Sequence, residues 1–369
     1  MTLRITVLSA VVVCLAAAQL TVLQAEDKLV AKRLNKLNWL SDTIQTQPSP
    51  GQKQSPVVTG VSLQPGGDLL AIVGDDHAVS IYDTSKREFV QQLTEHQDWV
   101  RVAKFTPDGN TLITAGNDRT IRSWNMSQLG QKSFKSQRID SLDYAIFDIA
   151  ISNDGKSIAA VGFSNKLRIY DLEQRVETHS FDCSSKDIHA VAFSPNDSLI
   201  AAAGRDGKVR VWNWKQEKQL TEFKNHSRRI RSLVFQNNHK LISCGDDCLV
   251  NITDINNKNA AHRLARHGGK LYAIQLMNDS TLATAGSDNA IYIWNLENNS
   301  QIGVLNGHRG TVSCLDSAGS KLVSGSFDTR VRSWNFERNA SLQPIKPQFT
   351  SPRLGEQSKP SSQWQPVIK

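Results

Sequence analysis

"HRGTVSCLDSAGSKLVSGSFDTRVRSWN", residues 308–335, runs from a histidine to a Trp–Asn pair. Between them lie two apolar stretches, a Ser-Gly-Ser and an isolated aspartate. Taken alone, His308, Ser324 and Asp328 have the residue types of a nucleophilic triad. The stretch is not alone. "HQDWVRVAKFTPDGNTLITAGNDRTIRSWN" covers 96–125, "HSRRIRSLVFQNNHKLISCGDDCLVNITD" covers 226–254, and "HGGKLYAIQLMNDSTLATAGSDNAIYIWN" covers 267–295. Weaker copies occupy 56–83, 144–171 and 185–213. The closing aromatic or its replacement falls at Tyr82, Trp124, Tyr170, Trp212, Thr253, Trp294 and Trp334, at intervals of 40 to 46 residues. Self-similarity at such a period is the mark of a repeat architecture.

Each copy reads as short strands. The first alternates apolar and polar residues ("VRVAKF", "IHAVAF") and a turn such as "TPDGN" or "SPNDS" follows. The second strand ("TLITAG", "LIAAAG") leads into a turn carrying Asp, and the third ("TIRSWN", "KVRVWN") alternates again. A looser fourth strand follows, as in "REFVQQL" and "KQLTEF". Tight turns between short strands make an antiparallel meander. One such sheet cannot bury both faces; seven arranged radially can, leaving only short protected edges.

These residues resemble the WD-repeat (WD40) β-propeller family over about residues 56–336. The GH opening stands intact at Gly307–His308, and the WD dipeptide appears as Trp–Asn at 124–125, 212–213, 294–295 and 334–335. The resemblance implies an all-β fold, a seven-bladed β-propeller of four-stranded antiparallel blades. It also implies that His, Ser/Thr, Asp and Trp hydrogen-bond in series within a blade. Three copies carry the full set: His96, Thr114, Asp118 and Trp124; His267, Thr284, Asp288 and Trp294; and His308, Ser324, Asp328 and Trp334. A fourth has His226, Ser243 and Asp247 but ends in Thr253. A catalytic triad is needed once, whereas a fastening network is needed in every blade. The opening stretch is therefore read as structural. Copies 1, 3 and 4 lack the His, and copy 3 has Ser164 in place of the Asp.

Aligning the copies puts Trp99, Asp187, Arg229, Lys270 and Thr311 at the start of the first strand. It puts Asp75, Asn117, Phe163, Arg205, Asp246, Ser287 and Phe327 just before the turn Asp or its replacement. The resemblance implies that these positions share the ring's top face and touch partners. The expected partner-binding set is Trp99, Asn117, Phe163, Asp187, Arg205, Arg229, Asp246, Lys270 and Phe327. The function expected is that of a non-enzymatic, exported scaffold for a protein or peptide partner, with no cofactor or metal. No phosphate-binding loop, HExxH or nucleophile elbow is visible. The alternative is a hydrolase, lyase or quinoprotein using the channel mouth. The cluster available to it, Arg205, Arg229, Asp246 and Asp187, lacks a histidine base.

The chain begins with one basic residue in "MTLR", an apolar run "ITVLSAVVVCLAAA", and small residues up to Ala25 before "ED". This is a secretory leader pattern over 1–25, with cleavage after Ala25 or Ala18 and export as the expectation. The competing reading is a membrane anchor over the same run. The formal net charge of +8 falls to +7 without the leader. That mild excess does not by itself indicate nucleic acid, and nucleic-acid binding is not expected. Residues 26–55 read as a basic arm or linker, with Val30, Leu34, Leu37 and Leu40 at helical spacing. The propeller is placed at 56–345 and a disordered Pro/Ser-rich tail at 346–369. "TQPSPGQKQSP" (46–56) reads as linker, so the last blade takes its outer strand either from "SLQPIK" after residue 340 or from "LNWLSDTI". Cys183, Cys244, Cys248 and Cys314 lie beyond the leader. Cys244 and Cys248 flank a tight turn and could bridge it, whereas Cys244 and Cys314 occupy small-residue positions that suit buried thiols.

Overall fold

The computed structural model describes residues 40–257 and 262–335. The leader, the amphipathic stretch up to residue 39, the alternative strand at 341–346 and the tail lie outside the described residues. Twenty-eight strands form seven four-stranded antiparallel sheets. Six sheets are consecutive meanders, the first beginning at Val58 and the sixth ending at Leu305. The seventh takes Val312–Ala318, Lys321–Ser326 and Arg330–Asn335 from the end of the chain and Leu40–Gln45 from its beginning. The fold is a seven-bladed β-propeller. Its helical pieces, among the described residues, are two 3-10 turns at Met126–Gln128 and Trp214–Gln216.

The sequence pattern explains the layering. In all seven blades the five residues after the first of the second strand are buried, as in Leu69–Gly74, Thr111–Gly116 and Lys240–Gly245. Both faces of that strand are covered by neighbouring blades, so it reads as a continuous small and apolar run. Outer strands such as Glu88–Leu93 and Val176–Asp182 have one face in solvent. Seven apolar clusters fill the seven gaps between adjacent blades. Side chains such as Leu70, Ile81, Leu112 and Ile158 have no exposure. Burying each contributes roughly 1.5–3 kcal/mol.

The second strand ends in glycine in six blades for a steric reason. A methyl at Gly116 would collide with the Trp99 carbonyl oxygen, and one at Gly245 with that of Arg229. The innermost strand bulges toward that end, opposite these glycines, between Val100 and Val102 and between Ile230 and Ser232.

Ring closure resolves what the sequence left open. Leu40–Gln45 pairs antiparallel with Arg330–Asn335, Ile44 opposite Val331. Ile44 is buried in the cluster that joins blade 7 to blade 1, with Val58, Val61 and Val331. The segment that follows is more than a linker. Thr46 Oγ1 donates to the Thr329 carbonyl at 2.7 Å. Ser49 Oγ donates to Asp76 Oδ2 at 2.5 Å. One short stretch therefore completes blade 7 and supplies a partner to the turn aspartate of blade 1. The four described cysteines are free thiols, so the Cys244–Cys248 bridge does not form.

Candidate functional site

The repeated polar sets come first, because their state decides where chemistry can occur. In blade 2, Trp124 Nε1 donates to Thr114 Oγ1 at 2.9 Å, Thr114 Oγ1 meets His96 Nε2 at 2.7 Å, and His96 Nδ1 meets Asp118 Oδ2 at 2.7 Å. Blade 7 repeats this through Trp334, Ser324, His308 and Asp328 at 2.9, 2.8 and 3.0 Å. Every donor is used if the imidazole is neutral, accepts at Nε2 and donates from Nδ1. Each aspartate also holds its turn: Asp118 Oδ1 accepts from Thr120 N–H at 3.1 Å and Asp328 Oδ1 from Arg330 N–H at 3.1 Å. Burial opposes ionisation of Asp118, but the hydrogen bond and charge of His96 outweigh it and hold the carboxyl at about 2. The imidazoles and hydroxyls of both sets are enclosed, and no substrate can reach them.

Blade 6 departs from the expected full set. Trp294 and His267 both bond Thr284, at 2.8 and 2.9 Å. His267 Nδ1 lies 3.4 Å from Asp288 Oδ2 without an aligned hydrogen bond, so the last link is a loose ionic contact. Tyr292 crowds the imidazole edge-on, its ring 4.5 Å away. Blade 5 keeps His226, Ser243 and Asp247. There Asn225 Nδ2 takes the place of the indole as donor to Ser243 Oγ, at 3.3 Å, and also donates to Thr253 Oγ1, at 2.9 Å. Blade 4 lacks the fastening histidine at the start of the copy, and the interior is filled by Arg210, whose Nη2 donates to Asp206 Oδ2 at 2.6 Å. Its Nε lies 2.8 Å from Glu222 Oε2 in ionic contact, without an aligned hydrogen bond.

The two alignment columns assigned to the top face sit side by side. The N–H of each turn residue donates to the carbonyl of its column partner: Asn117 to Trp99, Phe163 to Ala145, Arg205 to Asp187, Asp246 to Arg229, Ser287 to Lys270, and Phe327 to Thr311. Trp99, Phe163 and Phe327 are 40, 62 and 45% exposed. Arg205 and Lys270 are exposed as well. The remaining members of the set are not open to solvent in the same way. Asp187 is 4% exposed, held between His189 Nε2 at 2.7 Å and Arg229 Nη2 at 2.6 Å. Asn117 Oδ1 accepts from Arg101 Nε at 2.9 Å, and Asp246 Oδ1 from Arg231 Nε at 2.8 Å. Asp187, Asn117 and Asp246 therefore brace the side chains of His189, Arg229, Arg101 and Arg231.

Apart from Arg229, the groups they position are those the sequence reading missed. The second residue of each innermost strand faces the central channel: Arg101, Phe147, His189, Arg231 and Tyr272, with Thr59 and Ser313 completing the ring. Phe147 stacks on His189 at 4.4 Å and 12°. The Arg101 guanidinium lies 4.9 Å from the Trp99 ring and 5.9 Å from that of Phe147. Arg231 lies 5.1 Å from the ring of Tyr272, which meets Phe327 edge-on at 6.2 Å. Exposed rim and recessed mouth thus form one aromatic and cationic surface above a cavity of about 490 Å³. Burial, helped by Arg231 and Arg229, draws His189 below its ordinary value against the pull of Asp187. Deeper in the channel, burial pushes Asp148 up to about 7. His189 is the base the sequence cluster lacked. A signal for this ring existed, since five of the seven copies carry Arg, His or an aromatic at that register. No group of His, Cys, Asp and Glu among the described residues is arranged to hold a metal ion.

The "WD domain, G-beta repeat" family model matches residues 87–125, 175–213, 217–254, 259–295 and 299–335. The chain belongs to the WD40-repeat family. Each match takes the outer strand of one blade and the three inner strands of the next, so the inner strands matched are those of blades 2, 4, 5, 6 and 7, and the inner strands of blades 1 and 3 complete the WD40 ring. One relative is the WD repeat-containing protein 89 homolog of Dictyostelium discoideum, 32% identical over 32% of this chain and 30% of its own length. Another is the apoptotic protease-activating factor 1 of Danio rerio, 22% identical over 76% of this chain and 19% of its own. A third is the nuclear distribution protein nudF of Aspergillus niger, 28% identical over 29% of this chain and 25% of its own. The WD40 chain matches a third or less of the length of each of these relatives.

Proposed function

We propose that this WD40 chain is a non-catalytic binding module whose top face receives a protein or peptide partner. The observation that carries the reading is the exposure of Trp99, Phe163 and Phe327 in the two adjoining columns of one face. Large aromatic side chains left in water at one site, next to arginine, are the composition of an interaction hot spot. The buried state of the His, Ser/Thr and Asp sets supports a scaffold over an enzyme. Relatives named as unlike as a protease-activating factor and a nuclear distribution protein fit a module that serves different proteins by binding rather than by one reaction. The test is capture of partners by the full chain and by a Trp99→Ala/Phe327→Ala variant. The variant is expected to lose the bulk of capture with unchanged melting; equal capture by both would reject the face.

A catalytic reading of the mouth would rest on His189, held to Asp187 at 2.7 Å. It has no serine, threonine or cysteine nucleophile beside that imidazole among the described hydrogen bonds. Export by the leader over residues 1–25 is part of the proposal, and N-terminal sequencing of the mature chain tests it. The first residue is expected to be Glu26, or Gln19 for cleavage after Ala18; retention of Met1 would reject removal of the leader.

A further inference from the structure

One sector of the top face carries positive charge that the described residues do not balance. Lys186, Arg205, Arg228 and Lys270 are exposed there, on the loops and turns of blades 4, 5 and 6. The turn of blade 4 abuts the loop of blade 5, because Gly207 packs against the backbone of His226 and Arg228. Of the carboxylates of the same sector, Asp187 is engaged by His189 and Arg229, Asp206 by Arg210 and Asp246 by Arg231, and the carboxylate oxygens of Asp288 are enclosed beside His267. Among the described residues, none of the four exposed cations lies within ion-pair distance of a carboxylate.

The recessed cation of the mouth is in the same condition. Arg101 is half-buried, and its Nε is used by Asn117 at 2.9 Å. Its two terminal nitrogens have no partner among the described residues. The guanidinium is held in place by the rings of Trp99 and Phe147. A planar, oriented fork with both terminal nitrogens open matches a carboxylate, and partial desolvation strengthens that match.

Building on the face reading above, we propose that this sector and Arg101 recognise an acidic peptide segment. The segment lies across Lys186, Arg205, Arg228 and Lys270, and one Glu or Asp side chain of the partner reaches down to the Arg101 guanidinium. Recess and surroundings favour a peptide over nucleic acid. A carboxylate on a flexible side chain can reach a half-buried guanidinium, whereas backbone phosphates are read by cations standing on an open surface. The aromatic rim beside the cations offers apolar contact to neighbouring partner side chains.

Fluorescence anisotropy of the full chain tests this, with a labelled Glu/Phe peptide and a matched Ser/Phe peptide as probes. The Glu/Phe peptide is expected to bind at least about tenfold more tightly, the scale of one charge-assisted contact. Arg101→Gln is expected to weaken the Glu/Phe peptide about tenfold and to leave the Ser/Phe peptide unchanged. Lys270→Glu, at an exposed site that cannot disturb the fold, is expected to act in the same direction. Equal binding of the two peptides, or an Arg101→Gln protein that binds like the parent, overturns the proposal. So does a single-stranded oligonucleotide that binds more tightly than the Glu/Phe peptide with the same dependence on Arg101. If Trp99→Ala weakens both peptides alike while Arg101→Gln changes neither, the acidic ligand is rejected and the face reading stands. If neither variant matters, both readings fall.

Discussion

At the scale of single residues, the fastening sets are unequal, and the inequality is measurable. Asp118 and Asp328 close aligned hydrogen bonds to imidazoles, whereas Asp288 makes only a loose contact at 3.4 Å. Asp118→Ala and Asp328→Ala leave a buried ring nitrogen without a partner and should each cost about 1–3 kcal/mol in urea unfolding. Asp288→Ala should cost less than either; a larger loss there would contradict the geometry. The pH dependence follows from the same groups. At Asp118, Asp247, Asp288 and Asp328 burial raises the pKa, but hydrogen bonds and the histidine beside each outweigh it, and all four sit below the ordinary value. A depressed carboxyl adds stability above its unfolded value of about 4 and loses it as pH falls through the folded value. Between about pH 7 and 4 the shifts oppose one another. His189 and His308, lowered by burial, lose their contribution on acidification, whereas Asp148 and Asp76, raised by burial, gain theirs. Thermal melting should therefore change little from pH 7 to 4 and fall steeply from 4 toward 2. A melting temperature that stays flat below pH 4 would contradict the account.

At the scale of elements, the sequence was legible wherever a pattern repeats. The three strands of each copy, their Asp-bearing turns and the fourth strands "REFVQQL" and "KQLTEF" were readable because alternation and turn chemistry are local. The closing strand was half legible, since "LNWLSDTI" stood as one of two candidates and nothing local chose between them. Leu40–Gln45 carries only Leu40 and Ile44 as apolar residues, and what fixes it is pairing with a strand nearly three hundred positions away. Ser49 was unreadable for a related reason: it serves blade 1 from outside the repeat, in a Pro- and Gln-rich stretch. Channel-facing Arg101, Phe147, His189, Arg231 and Tyr272 were visible as a register, but the alternation was read only for its apolar half. The latch also carries a prediction. Ser49→Ala leaves the buried Asp76 short of a donor and should cost about 1–3 kcal/mol, although residue 49 belongs to no strand. Unchanged unfolding of Ser49→Ala would show that the segment is only a connector.

At the scale of the molecule, we propose a division of labour. Seven apolar clusters between blades and the polar sets within them hold the ring together, and the proposed function places binding on the face where the loops and turns meet. The face was partly legible in the sequence, because alignment of the copies puts its residues in columns. Which of them are open and which brace others depended on side-chain pairing, as with Asp187 between His189 and Arg229. The most direct test compares Asp118→Ala with Trp99→Ala, scoring partner capture per folded molecule alongside melting temperature. Asp118→Ala is expected to melt earlier and capture normally once folded, and Trp99→Ala to melt like the parent and capture poorly. Loss of capture by Asp118→Ala at an unchanged melting temperature would contradict the assignment of the polar sets to the fold and the face to binding.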